Sequence, residues 1–211
     1  MSQAISDDYS HPVDWQQPVG SIPEKLWDVL IVGAGPAGST AAFHLGRRGF
    51  KVLLVDMAQF PRRKVCGDCM ITDVEPNLSG MNLLDKVRQA GRELPGISIF
   101  SPSRRSVFIP GNFVTLKRPV LDTMLARNAV DAGVTFSAGK VERLMIDSDE
   151  SVSARFKGLP NPVRARIGII ATGAHIGLAR KLGVVAREKP SALAMRCYLK
   201  SPQTLNSLIL C

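Results

Sequence analysis

Two short apolar runs in the first third of the chain predict buried parallel strands. Asp28–Val32 reads DVLIV and Lys51–Asp56 reads KVLLVD, and continuous β-branched runs of this length are typical of strands covered on both faces. The turn GAGPAG and a predicted helix from about Pro36 to Arg48 lie between them, with Gly49 at the helix C-cap. Pro36 is tolerated because the first helical amides have no helical partner. Together these elements predict a β-α-β unit with a right-handed crossover.

The apolar pattern of the remaining chain is less regular and predicts mixed structure. Arg118 to Asp131 reads as a helix with one apolar face, and Gly133 ends it. A loop is expected over Phe60–Thr72 and a short helix over Asn82–Ala90. Strands are expected within Ile97–Ile109, around Pro102, and at Val134–Ser137. A three-stranded meander is expected over Lys140–Ile146, Ser151–Phe156 and Val163–Ala165. A final buried strand is expected at Ile167–Ala171, and another begins at about Ala192–Leu199.

Composition and charge exclude several classes of protein. The 211 residues are 45% apolar and 21% charged, which is ordinary for a soluble globular protein. No apolar run reaches the roughly 20 residues that span a bilayer, and no secretory signal stands at the N-terminus, so we expect a cytoplasmic protein. The net charge is +9, but the basic residues are scattered with few aromatics between them, so nucleic-acid binding is not expected. An anionic cofactor or an acidic membrane surface accounts for the charge equally well.

The four cysteines are expected to be thiols, as is usual for a cytoplasmic chain. Cys66 and Cys69 form a C-x-x-C pair, while Cys197 and Cys211 stand alone. A structural zinc site needs four ligands, and no second pair is spaced to complete one. We therefore expect no metal site.

The turn GAGPAG has the composition of a dinucleotide-binding site. Gly33 allows a tight turn out of the strand, Gly35 lets a pyrophosphate approach the backbone, and Gly38 lets the helix pack on the strand. The free amides and positive dipole end of the helix favour an anion there. Asp56 follows Gly33 by 23 residues, where its carboxylate can accept hydrogen bonds from an adenosine ribose. An acidic ribose partner disfavours NADP, while NAD and FAD stay open.

Five segments of the chain carry a family resemblance. They are DVLIVGAGPAGSTAA, KVLLVD, FPRRKVCGD, KRPVLDTMLARNAVDAGV and ATGAHIGLARKLGV. In this order and spacing they resemble the geranylgeranyl reductase family within the p-hydroxybenzoate hydroxylase-like flavoproteins, over roughly Asp28 to Leu199. The resemblance implies FAD as the cofactor, with NAD(P)H or reduced ferredoxin as the electron donor.

The resemblance also implies a fold and a domain organisation. The fold class is α/β, a Rossmann-like FAD-binding domain of the glutathione reductase/p-hydroxybenzoate hydroxylase type with a β-meander, its C-terminal part and substrate domain largely missing. Residues 1–26 would be a flexible N-terminal tail or a surface arm, since they are polar and rich in proline. Residues 27–190 would be the incomplete FAD-binding domain, and residues 191–211 the start of the substrate domain.

Carried over position by position, the resemblance implies a set of site residues. Arg118 looks like the family arginine close to the cofactor, and Arg62 or Arg63 would lie over the adenosine side. Cys66 would lie beside the flavin and the substrate alkene, where it would orient the substrate or supply a proton, and it is the candidate catalytic residue. The plainer interpretations are a solvated basic loop for Arg62–Lys64 and an inert packing residue for Cys66. The implied cofactor-binding residues are Gly33, Gly35, Pro36, Ala37, Gly38, Asp56, Arg62, Arg63, Cys66, Gly67, Arg118 and Gly173.

Two features depart from the family pattern. Many relatives have an Asp-Gly pair after the last strand, whereas this chain has Thr172 and Gly173, so one carboxylate is missing. Such proteins are also roughly twice as long, so we expect a fragment or a truncated product. A related halogenase would carry an I-G-E-S-like segment where Cys66-Gly67 stands, and its absence counts against halogenation.

The leading functional hypothesis is an FAD-dependent reductase of isoprenoid C=C bonds. It implies a small-molecule, prenyl-lipid substrate and peripheral contact with a membrane, while the oligomeric state is open. One alternative is an FAD-dependent monooxygenase acting on an aromatic or polyketide substrate. Another uses Cys66 and Cys69 as a redox disulfide. A third, from a different class, is a non-catalytic, truncated nucleotide-binding module.

Overall fold

A computed structural model describes residues 11–186, 192–203 and 205–210, which divide into two compact units. The first, the seven-stranded unit, contains residues 11–62 and the described part of 122–192. The second, the four-stranded unit, contains residues 63–121 and the described part of 193–211. In this division, residues 63–121 group with the C-terminal segment; the domain boundary between residues 190 and 191 stays a prediction.

The described strands and helices are numbered in chain order. The strands are β1 (Gln17–Pro18), β2 (Trp27–Val32), β3 (Val52–Asp56), β4 (Cys69–Met70), β5 (Arg92–Phe100), β6 (Ser106–Thr115), β7 (Thr135–Ala138), β8 (Val141–Ile146), β9 (Val152–Phe156), β10 (Val163–Ile170) and β11 (Leu208–Leu210). The helices are α1 (Pro36–Gly46), α2 (Glu75–Gly80), α3 (Leu84–Ala90), α4 (Arg118–Asp131) and α5 (Gly177–Lys181), with 3-10 turns at Val19–Ser21 and Thr72–Val74. Among the described residues, no helix has both the length and the apolar character that a bilayer crossing requires.

The seven-stranded sheet has the order β1-β7-β3-β2-β10-β9-β8. Its first five strands pair in parallel, and β8, β9 and β10 form an antiparallel meander. Leu30, Ile31, Leu53 and Leu54 are 0% exposed, as the unbroken apolar runs of β2 and β3 predicted for a sheet covered on both faces. The Rossmann-like α/β fold with a β-meander is confirmed.

Strand β10 corrects the prediction of two separate strands. Val163–Ala165 pairs antiparallel with β9, and the same strand continues through Ala165–Ile170 in parallel with β2. Ala165 is bonded on both sides, to Val152 and to Trp27. The strand stays continuous because β9 pairs along one of its edges and β2 along the other. The change of partner therefore requires no break in the chain.

The four-stranded sheet has the order β11-β5-β6-β4. Strands β5 and β6 form a long antiparallel hairpin that extends beyond the predicted range at both ends. Helix α2 lies in a segment for which we predicted no element. The strand predicted over about Ala192–Leu199 is wrong, since residues 192–199 form no regular element and the C-terminal strand is β11.

Residues 11–26 lie against the seven-stranded sheet. Strand β1 pairs with β7, and Val13 N–H donates to the Phe60 carbonyl (3.1 Å). The amide of Gln16, which is 5% exposed, donates to the Ala58 carbonyl (3.0 Å) and accepts from Phe60 N–H (2.7 Å). Of the two interpretations of the N-terminal segment, residues 11–26 therefore fit an arm that lies on the surface of the sheet. Residues 1–10 lie outside the described residues.

We expect Gln16→Ala to lower the free energy of unfolding by about 1–3 kcal/mol, because it leaves the buried Phe60 N–H without its acceptor. The measurement is urea denaturation followed by circular dichroism. The matched control is Gln17→Ala, an exposed neighbour whose substitution should change stability by less than about 0.5 kcal/mol. Equal effects of the two substitutions would contradict the described anchoring of the arm.

Candidate functional site

The Gly-rich turn between β2 and α1 packs against the backbone that follows β10. Gly33 has φ +106°, and a Cβ there would lie 2.4 Å from the Ala171 carbonyl oxygen. A Cβ at Gly38 would lie 1.8 Å from the Gly33 carbonyl oxygen. Ala171 N–H in turn donates to the Val32 carbonyl (2.8 Å). Gly33 and Gly38 are thus required by the packing of the protein itself, whatever the turn binds.

The N-terminus of α1 opens from this turn without a side-chain cap. Gly35 is the N-cap residue, with φ −77° and ψ −174°, and no acidic residue lies in the first helical turn. The first helical hydrogen bond runs from Ser39 N–H to the Gly35 carbonyl (2.9 Å), so the amides of Ala37 and Gly38 precede the helical ladder. Any residue could adopt the backbone conformation of Gly35, so the local fold does not require glycine there. The absence of a side chain instead leaves the backbone open to the approach of a ligand. Uncapped amides, a positive dipole end and an unobstructed backbone fit the pyrophosphate of a dinucleotide.

Asp56, at the end of β3, secures the same turn. Its side chain is 9% exposed; Oδ2 accepts from Ala34 N–H (3.0 Å) and Oδ1 from Ala58 N–H (3.1 Å). Oδ2 also accepts from Arg62 Nε (3.1 Å). A carboxylate offers about four acceptor positions, so three are used within the protein. Ribose binding by Asp56 stays a prediction. The structure shows a second role for this residue, which is to hold the Gly-rich turn in place.

Arg62 bridges two buried carboxylates. Its Nε contacts Asp56, and its Nη1 lies 3.0 Å from Oδ2 of Asp122, whose side chain is 0% exposed. The guanidinium also lies over the Phe60 ring, 4.8 Å from the centroid. Arg62 therefore links the end of β3 to α4, a structural role that the sequence pattern did not predict. Asp122 was missed as well; the available signal was a carboxylate on the apolar face of a predicted helix.

The predicted site residues fall into both units. Gly33–Gly38, Asp56 and Arg62 come together in the seven-stranded unit with Gly173, which follows β10 at φ +60° and where a Cβ would have no atom within 4 Å. The others belong to the four-stranded unit: exposed Arg63, half-buried Cys66, exposed Gly67 and half-buried Arg118, the first residue of α4. The sequence interpretation of these residues as cofactor ligands stays a prediction.

The cysteines of the C-x-x-C pair are present as free thiols. Cys66, Cys69 and Cys197 are free thiols, the first two half-buried, and Cys211 lies outside the described residues. Burial raises the pKa of the Cys69 thiol, and the charge of a neighbouring Cys66 thiolate raises it further. Because a neutral thiol is a poor nucleophile, this raised pKa disfavours reaction at Cys69.

Asp68 has side-chain partners in the C-terminal segment that the sequence did not reveal. Both of its carboxylate oxygens lie 2.8 Å from Nη1 of Arg196, and Tyr198 OH donates to Oδ2 (2.5 Å). Desolvation, followed by the hydrogen bond to Asp68, raises the pKa of Tyr198. The sequence offered no local signal for these contacts, because Arg196 and Tyr198 lie within the strand that we predicted over about Ala192–Leu199.

The fold and the Gly-rich turn together define a class of protein. A β-α-β unit with an uncapped helix N-terminus, an acidic residue at the end of its second strand and a following β-meander is the architecture of the FAD-binding domains of flavin-dependent oxidoreductases. The chain belongs to the lycopene cyclase protein family, whose model matches residues 28–188.

Individual relatives include reductases and a halogenase. Menaquinone reductase from Mycolicibacterium smegmatis is 35% identical over 83% of this chain and 45% of its own length. Digeranylgeranylglycerophospholipid reductase 1 from Methanothermobacter thermautotrophicus is 31% identical over 77% of this chain and 43% of its own length. The solved structure of the flavin-dependent brominase Bmp2 superposes with a TM-score of 0.67 at 30% identity, over 74% of this chain and 40% of that one.

These comparisons confirm the resemblance to geranylgeranyl reductases and to flavoprotein oxidoreductases in general. The chain spans less than half the length of these relatives. The likeness to a brominase also shows that the family resemblance does not by itself separate reduction from halogenation.

We expect Arg62→Met to lower the free energy of unfolding of the cofactor-free chain by about 3–5 kcal/mol, because it leaves two buried carboxylates without their shared cation. Chemical denaturation without added nucleotide measures the effect. The control is Arg127→Met, which removes an ion pair to Asp131 whose side chains are 52% and 54% exposed and should cost about 1 kcal/mol or less. If the stability of Arg62→Met were unchanged, the structural role would be contradicted. The predicted role of Arg62 in binding the cofactor would then be favoured.

Proposed function

We propose that this chain binds FAD, with the pyrophosphate at the Gly-rich turn. The observation that carries the proposal is the uncapped N-terminus of α1, where the amides of Ala37 and Gly38 precede the first helical hydrogen bond. Beside them stands Gly35, whose backbone conformation is open to any residue, so that its lack of a side chain serves the approach of a ligand. Asp56 would meet the adenosine ribose through its remaining acceptor position. Membership of an FAD-dependent family supports FAD over NAD.

The protein's own residues would bind and orient the cofactor. Asp56 fixes Ala34 within the turn, and Arg62 fixes Asp56 in turn, so the amides that meet the pyrophosphate are held in place before it arrives. Such preorganisation lowers the entropy lost on binding. Bound FAD would supply the two-electron chemistry, with NAD(P)H or reduced ferredoxin as the proposed donor.

We expect saturable FAD binding by the 211-residue chain, measured as quenching of flavin fluorescence, and a dissociation constant at least about tenfold higher for Gly35→Val. The valine side chain would stand where the pyrophosphate approaches the backbone. Gly20→Val is the control, because Gly20 is exposed and nothing lies within 4 Å of a Cβ there. Absence of binding in a chain that circular dichroism shows to be folded would reject the cofactor assignment for this chain.

The proposed reaction is the reduction of isoprenoid C=C bonds. Its support comes from the relatives named digeranylgeranylglycerophospholipid reductase and from the Cys66-Gly67 pair in place of the halogenase-like segment. Cys66 would orient the alkene or supply the proton that accompanies reduction. A prenyl-lipid substrate would bring this protein, proposed to be cytoplasmic, to a membrane surface, and the net charge of +9 favours an acidic one.

The second candidate is oxygen-dependent chemistry at the flavin, such as halogenation or hydroxylation. The similarity to the flavin-dependent brominase, at 30% identity and a TM-score of 0.67, favours this class independently of the reductases. The two candidates share the cofactor site and differ in what reoxidises the reduced flavin.

We expect the photoreduced FAD complex, under strict exclusion of oxygen, to be reoxidised by a geranylgeranyl lipid and not by its saturated analogue. Return of the oxidised-flavin absorbance measures the reaction, with free reduced FAD as the background. Cys66→Ser should slow it by about tenfold or more if the thiol supplies the proton, while Cys197→Ser, at an exposed position, should leave it unchanged. No reoxidation by the lipid, together with hydroxylation of an added aromatic once oxygen is admitted, or its bromination once oxygen and bromide are admitted, would favour the second candidate.

A further inference from the structure

Arg196 ties together both ends of the three-residue turn Cys66-Gly67-Asp68. A single guanidinium nitrogen, Nη1, lies 2.8 Å from each carboxylate oxygen of Asp68 and 3.4 Å from the Cys66 carbonyl oxygen. The Arg196 and Asp68 side chains are only 18% and 12% exposed. Exposed ion pairs contribute little to stability. In a pair this well shielded from water, removal of one partner is costly because it leaves the other charge uncompensated.

Asp68 itself is held in an unfavourable backbone conformation. Its φ of 57° lies in the left-handed region, which residues other than glycine adopt at a cost of about 1 kcal/mol or more. Its carbonyl accepts from Leu116 N–H (2.9 Å), and the next residue, Cys69, pairs with Thr115 in the sheet. The conformation therefore depends on partners outside the turn.

Tyr198 completes the contacts from the C-terminal segment. Its hydroxyl donates to Asp68 Oδ2 (2.5 Å), and its ring lies under the Arg196 guanidinium, 4.4 Å from the centroid. The Lys117 ammonium lies 5.3 Å from the same centroid. Such cation–π contacts orient Arg196 toward Asp68.

We infer that Arg196 and Tyr198 are positioning residues that clamp the Cys66-Gly67-Asp68 turn and so fix the place of the Cys66 thiol. That this turn acts in the reaction rests on the proposed function. The clamp itself is a property of the four-stranded unit alone and can be tested without the flavin.

The test is hydrogen exchange, followed by mass spectrometry, of amides 66–70 in the FAD-free 211-residue chain. We expect Arg196→Met to raise exchange at these amides by about tenfold or more, as loss of a charged hydrogen-bond network predicts. Arg196→Lys should raise exchange by less than Arg196→Met does, because an ammonium keeps the charge that Asp68 requires but loses the planar stacking on Tyr198. The matched control, Arg164→Met, removes an arginine paired with Asp149 in the seven-stranded unit and should leave amides 66–70 unchanged.

Coupling between the partners gives a second measure. If Arg196 acts through Asp68, Arg196→Met should add less than about threefold to the exchange of an Asp68→Asn chain. Wild-type exchange in Arg196→Met, or an Arg196→Lys chain as fast as Arg196→Met, would overturn the inference. If Arg196→Met does not fold, Tyr198→Phe and Asp68→Asn decide, and wild-type exchange in both would overturn it.

The outcomes for the clamp and for the proposed function are separable. Failure of the wild-type chain to bind FAD would reject the cofactor proposal and leave the exchange comparison intact. Normal FAD binding together with unchanged exchange in the Arg196 and Tyr198 variants would reject the clamp alone.

Discussion

The close approach of two backbone turns is the constraint on which the candidate site depends. Gly33 and Gly38 leave no room for a Cβ, because the carbonyl oxygens of Ala171 and of Gly33 itself stand there. This contact requires β10 to lie beside β2 in parallel, with both strands ending at the same edge. The meander that leads into β10 thus contributes to the site without offering a ligand, since it delivers Ala171 to the base of the turn.

Charge inside the seven-stranded unit is arranged around one arginine. Arg62 contacts both Asp56 and the fully buried Asp122, so the two carboxylates share one cation. Because both are shielded from water, loss of that cation would be strongly destabilising. Asp56 at the same time accepts from the amide of Ala34. A change in α4 at Asp122 is therefore connected, through Arg62 and Asp56, to the turn that would meet the pyrophosphate. Positioning of the cofactor site reaches well beyond the residues that would touch the cofactor.

The sequence predicted some elements closely and others poorly, for identifiable reasons. Strands β2 and β3 are unbroken apolar runs, and helices α1 and α4 have a proline near their start and a glycine shortly after their end. The structure confirms these four elements. The pattern at 163–171 reads as two strands, since periodicity does not register a change of partner along one strand. Residues 192–199 are mostly apolar and resemble a short strand, but Arg196 and Tyr198 reach Asp68 across a separation of about 130 residues. Such contacts leave no local signal.

By itself, the sequence determined the fold class, the Gly-rich turn and the family, because each is recorded in short segments of the chain and in their spacing, such as the strand, tight turn, helix and acidic residue of the β-α-β unit. Only the tertiary structure decided what the charged residues do. It paired Arg62 with two carboxylates that lie 6 and 60 residues away, joined Asp68 to the C-terminal segment, and brought Ala171 against Gly33. Ion pairs and backbone packing depend on distance in space, and the chain fixes that distance only when it folds.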